Sequence, residues 1–221
     1  MSRVEVGGSS LHLLPQKVAW WPALRTLLVA DAHIGKAVSF RQLGVPVPRG
    51  TTTETLDRLG ALIDVHRATR VIFLGDLLHS ARAHAPATLE AFSCWRERHA
   101  GVDLTLVRGN HDDRAGDPPA ALGVTCVDEP LRLAEAPGLA LCHHPTARPG
   151  LYVLAGHSHP CVTVGRGIDR LRLPCFHFGA TVGVLPAFGA FTGMHPVVRV
   201  AGDRVFVVAD NAVHALPASS R

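Results

Sequence analysis

Arg25-Thr-Leu-Leu-Val-Ala-Asp31 is a nearly continuous apolar run that closes on an acid. Arg70-Val-Ile-Phe-Leu-Gly-Asp76 repeats the pattern, and Leu104-Thr-Leu-Val-Arg-Gly-Asn110 repeats it with an amide in place of the acid. Such runs suit strands buried on both faces, with functional groups just past their C-terminal ends. Helical stretches separate them. Thr52 to Arg67 carries apolar residues at Leu56, Leu59, Leu62 and Ile63, with Thr51 to Thr53 available as N-caps. Pro86 to His99 reads as a second helix opening near a proline.

Upstream, short strands are expected at Val4–Val6, Leu11–Leu14 and Val18–Trp20, with a turn at Gly7–Gly8. Past residue 120 the pattern changes. Short strands punctuated by Gly and Pro are expected at Val124–Val127, Leu131–Leu133, Leu139–Cys142, Tyr152–Ala155, Val162–Val164, Leu171–Phe176, Val197–Val200 and Arg204–Val208. The first half is thus βαβ and the second β-rich. The expected fold is α/β: a sandwich of two mixed sheets flanked by helices.

With 221 residues, 47% of them hydrophobic, the chain can bury a full core, and no repeat or linker divides it. One domain over residues 1–221 is expected. No apolar stretch reaches the roughly 18 residues of a membrane helix. Met1 to Ser10 lacks the apolar region of a signal peptide, so a cytoplasmic location is expected. Five cysteines, with no CxxC pair, indicate neither a disulfide framework nor a cysteine-based zinc site. The net charge of +4 favours polyanionic partners only weakly, because no dense Lys/Arg block occurs.

Five short motifs carry the chemistry: Asp31-Ala-His33, Gly75-Asp76-Leu-Leu-His79, Gly109-Asn110-His111-Asp112, Cys142-His143-His144-Pro145 and Gly156-His157-Ser158-His159. Side chains two apart on an extended segment point the same way, so Asp31 with His33, and His157 with His159, can each approach one metal cluster. With 14 histidines in the chain a single HxH is close to chance. All five motifs in this order, three of them at the ends of apolar runs, are not. The glycines before Asp76, Asn110 and His157 are expected to allow sharp turns. Imidazole and carboxylate ligands suit manganese, iron, zinc, cobalt or nickel rather than magnesium or calcium.

The five motifs resemble the pattern of the calcineurin-like metallophosphoesterase superfamily: D-x-H, G-D-x-x-[D/H], G-N-H-[D/E], a lone His, then G-H-x-H. The resemblance implies a metal site at the C-terminal ends of the strands, holding two divalent transition-metal ions, manganese foremost with iron or zinc as alternatives. Asp31, His33, Asp76 and His159 would hold one. Asp76, Asn110, His143 and His157 would hold the other, with Asp76 shared. His143 is preferred to the adjacent His144 because it matches the first His of an H-x-P form. His111 would be the leaving-group acid. Many members have Asp where this chain has His79, so what orients His111 is open between Asp112 and His79.

Further stretches resemble one subgroup, the ligase-associated DNA damage response endonucleases (PdeM). They are Asp31-Ala-His-Ile-Gly-Lys36, Phe40 to Thr51, Leu173-Pro-Cys-Phe176 and Val184 to Gly193. The subgroup implies a phosphodiesterase or DNA endonuclease of bacterial repair, acting beside a DNA ligase, a helicase and an exonuclease. Single-stranded DNA is the expected substrate, with Arg41 and Arg49 as phosphate contacts and Arg108, Arg114 and Arg148 also near the motifs. Trp20, Trp21, Phe40 and Tyr152 are candidates for base stacking, with core packing the better reading of the two Trp. Val45 to Gly50 is expected to form a stiff extended loop. Small phosphodiesters such as cyclic nucleotides, or phosphomonoesters, are the alternative substrates. A non-catalytic scaffold is disfavoured by the intact motifs.

Overall fold

The computed structural model describes residues 2–42, 44, 50–165 and 170–218. Two sheets face each other. The first has seven strands in chain order: β1 (Ser2–Val6), β2 (Ser9–Leu14), β3 (Val18–Trp21), β4 (Thr26–Val29), β5 (Arg70–Leu74), β6 (Asp103–Val107) and β7 (Val124–Val127). Strands β1 to β4 meander antiparallel, and β4 to β7 run parallel. Connection length explains the switch. Short turns join the first four strands, whereas parallel neighbours need crossovers. These crossovers contain α1 (Lys36–Gln42) and α2 (Thr51–His66), then α3 (Pro86–Arg98), then α4 (Asn110–Ala115).

The second sheet has eight strands: β8 (Leu139–Leu141), β9 (Tyr152–Ala155), β10 (Pro160–Val164), β11 (Leu171–Phe178), β12 (Val182–Val184), β13 (His195–Pro196), β14 (Arg204–Ala209) and β15 (Ala212–Ala215). Strand β11 is its hub. Leu171 to Pro174 pair with β10, while Cys175 to Phe178 pair with β14 and His177 and Phe178 also meet β12.

The period-2 rule shows why the apolar runs are continuous. Leu27, Val29, Val71 and Phe73 pack against Leu56, Leu59 and Ile63 of α2 and Phe92 and Trp95 of α3. Their neighbours Leu28, Ala30, Ile72 and Leu74 face the other way, into a core shared with Leu154, Phe176, Phe178 and Leu185 of the second sheet region. Each such fully buried Leu, Ile or Phe contributes roughly 1.5–3 kcal/mol. The strands that carry the site residues are therefore firmly anchored on both sides. Trp20 and Trp21 divide between the same two cores, which makes them packing residues rather than base-stacking ones.

Several expectations need correction. Leu131–Leu133 forms no strand; Leu131 makes only an isolated bridge to Leu141. Val197–Val200 forms none either. The strand lies at His195–Pro196, and Val197 instead packs beside Val162, Cys175, Val205 and Val207. An apolar run can cover a sheet face without joining its ladder. Helices α1 and α4 and strands β12 and β15 were not expected. Val45 to Arg49, including the expected phosphate contact Arg49, lie outside the described residues. No helix among the described residues is long and apolar enough to cross a membrane.

Candidate metal centre

The loops after β4, β5, β6, β8 and β9 converge at one end of the first sheet. The first two loops continue the parallel pairing beyond the strands: His33 N donates to Asp76 O at 2.8 Å, Ile34 N to Leu77 O at 2.8 Å, and His79 N to Ile34 O at 3.1 Å. This zipper sets Asp31 and His33 beside Asp76. Asp31, His33, Asp76, His157 and His159 all have left-handed backbones, with φ between +44° and +69°. Asp and His tolerate that region better than most residues, but clustering of such outliers marks a functional site.

The three glycines of the motifs serve different ends. Gly75, at φ +78°, makes the expected turn, and a Cβ there would lie 2.1 Å from His143 Nδ1. Gly109 is extended, with φ −111°, so no turn requires it. Its role is room: a Cβ would lie 2.4 Å from Asp76 Oδ1. At Gly156 a Cβ would lie 2.7 Å from Asp31 Oδ2.

The predicted ligands form two clusters joined by one carboxylate. In the first, His33 Nε2 lies 3.3 Å from His159 Nε2 and 3.8 Å from Asp76 Oδ2, and His159 Nε2 lies 3.5 Å from Asp31 Oδ1. In the second, His143 Nε2 lies 3.0 Å from Asn110 Oδ1, 3.0 Å from His157 Nδ1 and 3.5 Å from Asp76 Oδ1. The two oxygens of Asp76 thus face different clusters. Asp31, Asp76 and His143 are almost fully buried.

Ring orientation is fixed from behind. His143 Nδ1 donates to Leu74 O at 3.0 Å, and His159 Nδ1 donates to Gly193 O at 3.0 Å. A carbonyl only accepts, so each Nδ1 carries the hydrogen and each Nε2 presents a lone pair inward. Burial, reinforced by Lys36 and then His159, pushes the His33 pKa down to about 2, so that ring is neutral at physiological pH. Lone pairs and carboxylate oxygens turned toward one another repel unless cations lie among them. The donor set therefore fits divalent transition metals.

His143 and His144 have different partners, although the His144 ring stands 4.8 Å from the rings of both His143 and His157. His143 turns into the cluster, while His144 Nδ1 lies 3.2 Å from Glu129 Oε1. Glu129 was not anticipated. Its Oε2 accepts the N–H groups of His143 and His144 at 2.8 and 2.9 Å, and so sets the backbone from which His143 points. Burial raises the Glu129 pKa, but the hydrogen bonds from His144 and His143 outweigh it and hold the carboxyl below its usual range. A signal for it was present: Val124-Thr-Cys-Val-Asp-Glu129 is a fourth apolar run closing on acids. Lys36 also stands beside the cluster. Its charge interacts with Asp31 and Asp76 and bears on His33 and His79.

His111 sits at the edge, with Nδ1 2.7 Å from the His79 carbonyl and Nε2 4.0 Å from Asp76 Oδ2. The group that orients it is thus the backbone of His79. Asp112 does other work: it accepts from Leu78 N and Gly109 N, each at 3.0 Å, tying the β5 loop to the start of α4. Burial pushes its pKa up to about 6 against those hydrogen bonds. Asp112→Ala would orphan two buried N–H groups. The expected loss of stability is about 2–4 kcal/mol, read from the urea unfolding midpoint. An unchanged midpoint would show that the tie is dispensable.

The arginines fare unevenly. Arg108 is held by Asp117 and Asp128, with three contacts of 2.8 Å, so it does not serve as a phosphate contact in this arrangement. Arg148 Nη2 lies 3.8 Å from Glu129. Arg41 lines a cleft with Val38, Thr51 to Thr53 and Thr88. Of the stacking candidates, Phe40 approaches His79 with ring centroids 6.5 Å apart, and Tyr152 OH donates to Gly179 O.

Two facing mixed sheets with a buried Asp/His cluster at the parallel strand ends define a metallophosphoesterase-type hydrolase. No protein-family model matches the chain, and no curated protein matches it significantly. Among solved structures, the Pseudomonas putida nuclease MPE is 43% identical, over 97% of this chain and 99% of that one, with a TM-score of 0.86. The chain belongs to the family of that nuclease. YfcE, a phosphoesterase from E. coli, aligns at 15% identity over 85% of this chain and 95% of that one, with a TM-score of 0.40.

Proposed function

We propose that the cluster holds two divalent transition-metal ions and that the chain hydrolyses phosphodiester bonds in nucleic acid, single-stranded DNA foremost. The observation that carries this reading is the division of Asp76, with Oδ2 turned to His33 and Oδ1 to His143. Asp31, His33, Asp76 and His159 are assigned to one ion, and Asp76, Asn110, His143 and His157 to the other. Manganese is preferred, with iron or zinc as alternatives, because the donors mix imidazole nitrogen and carboxylate oxygen. Ions in such a site supply activated water and neutralise phosphate charge.

The chain's own groups do the rest. Leu74 O and Gly193 O hold the His143 and His159 rings with lone pairs inward. Glu129 fixes the His143 backbone. Lys36 offers positive charge to an incoming phosphate, and Arg41 is assigned to a neighbouring phosphate of the strand. His111 holds a proton at Nε2 for the leaving oxygen. A flexible strand can reach recessed groups that a stiff duplex reaches only when distorted. That the Pseudomonas relative is a nuclease supports a nucleic-acid substrate. We take residues 1–221 as one catalytic domain working in the bacterial cytoplasm in DNA repair, alongside a ligase, a helicase and an exonuclease.

The test uses protein stripped by a chelator and reloaded. Expected are two bound ions per chain by elemental analysis, and cleavage of single-stranded DNA restored by Mn²⁺ better than by Ca²⁺. Full cleavage by metal-free protein would refute the metal reading. Phosphomonoesters or cyclic nucleotides turned over much faster than any DNA would replace the nucleic-acid reading with a small-substrate one.

A further inference from the structure

The segment after β12 is anchored to the candidate centre from several sides. Phe188 N donates to Ala30 O at 2.8 Å, and Gly189 N to Asp31 O at 3.0 Å. Lys17 Nζ reaches Gly189 O at 3.4 Å. Arg58 donates to the Phe188 carbonyl, and its guanidinium carbon lies 4.1 Å from the Phe188 ring centroid. Further on, Gly193 O holds the His159 ring. The backbone of Gly189 comes so close that a Cβ there would lie 2.5 Å from Ala32 O.

Between these anchors stands Phe191. It is 50% exposed, and its backbone is left-handed at φ +57°. Gly or Asn would fit that turn with less strain. Among the described residues Phe191 joins none of the hydrophobic clusters. It faces His33, Gly35 and Lys36 across a narrow crevice. A strained, half-exposed aromatic that lines a crevice with His33 contributes little to the fold. Its placement suits a ligand with a flat apolar face.

We propose that Phe191 is a stacking platform for a nucleobase of the strand whose phosphate lies at the candidate metal centre. This rests on the nuclease reading and deepens it by giving one source of strand preference. Every base has a π-face, so stacking holds a strand without reading its sequence. In a duplex those faces are already covered by neighbouring bases, so the platform favours single strands. Lys36, across the crevice, supplies charge for a phosphate of the same strand.

The test compares an oligothymidylate with an abasic strand of equal length, using the metal-loaded protein. Wild type is expected to show a lower KM for the base-bearing strand. Phe191→Ala should raise that KM by roughly tenfold or more, as loss of one stacked base predicts, and bring the ratio between the two strands close to one. Phe191→Trp should keep the preference, and its indole fluorescence should be quenched by oligothymidylate but not by the abasic strand. If Phe191→Ala keeps the wild-type KM for oligothymidylate, or weakens both strands equally with a lowered Tm, the stacking role is overturned and the nuclease reading stands. If wild type cuts neither strand, both fall.

Discussion

Asp76→Asn is expected to cost the protein bound metal and roughly a thousandfold or more in phosphodiester hydrolysis, since metal stabilisation is worth several kcal/mol at tenfold per about 1.36 kcal/mol. The substitution keeps the side chain's size and its buried site, which is only 2% exposed. It removes a negative charge whose two oxygens face different clusters. Oδ1 also accepts His111 N at 2.9 Å, so this carboxylate helps place the acid-bearing segment as well. Asn can still accept there through its carbonyl, so the substitution isolates charge from shape. Metal content by elemental analysis and turnover of bis(p-nitrophenyl) phosphate measure the two losses. A variant that retains both ions and near wild-type turnover would show that Asp76 is not shared between them.

The strands that build the centre were legible because each is buried on two faces. Continuous runs such as Val71 to Leu74 have few competing readings. The elements that escaped notice are short or locally decided. Helix α4 begins on the Gly109-Asn110-His111-Asp112 motif itself and is only six residues long, too short to show a helical apolar period. Strand β15 is a partly exposed edge hairpin partner of β14, with little apolar signal. The metal-binding pattern was legible for a different reason: its residue types and spacings are restrictive even when their folding is unknown. What spacing could not supply was the surrounding support. Leu74 O, Gly193 O and His79 O act as backbone acceptors, and any residue type offers a carbonyl. Glu129 reaches His143 because the bridge between Leu131 and Leu141 lays the segment after β7 beside the one that leads into His143. The role of Gly109 likewise depends on a close approach between separate loops, not on its own backbone angles.

His111→Ala should slow substrates with poor leaving groups by about 10²–10⁴-fold, the usual range for a lost general acid, and slow nitrophenyl diesters far less. The ring is oriented by a backbone group: Nδ1 donates to the His79 carbonyl at 2.7 Å. That contact commits the hydrogen on Nδ1 and leaves Nε2 as the atom that can hold a transferable proton. Nε2 lies at the edge of the centre, 4.0 Å from Asp76 Oδ2, and the His111 side chain is 31% exposed, so a departing oxygen has access to it. An alkoxide leaving from DNA needs that proton as the P–O bond breaks, whereas nitrophenolate is stable without it. Replacing the His79 side chain should preserve the leaving-group pattern, since its backbone carbonyl does the orienting, even if the loss of its ring disturbs His33, whose Nδ1 lies 3.5 Å from His79 Nδ1. Rates on DNA and on a nitrophenyl diester, measured with metal occupancy matched, separate the roles. Equal losses on both substrates would assign His111 to holding the phosphate instead of protonating the leaving group.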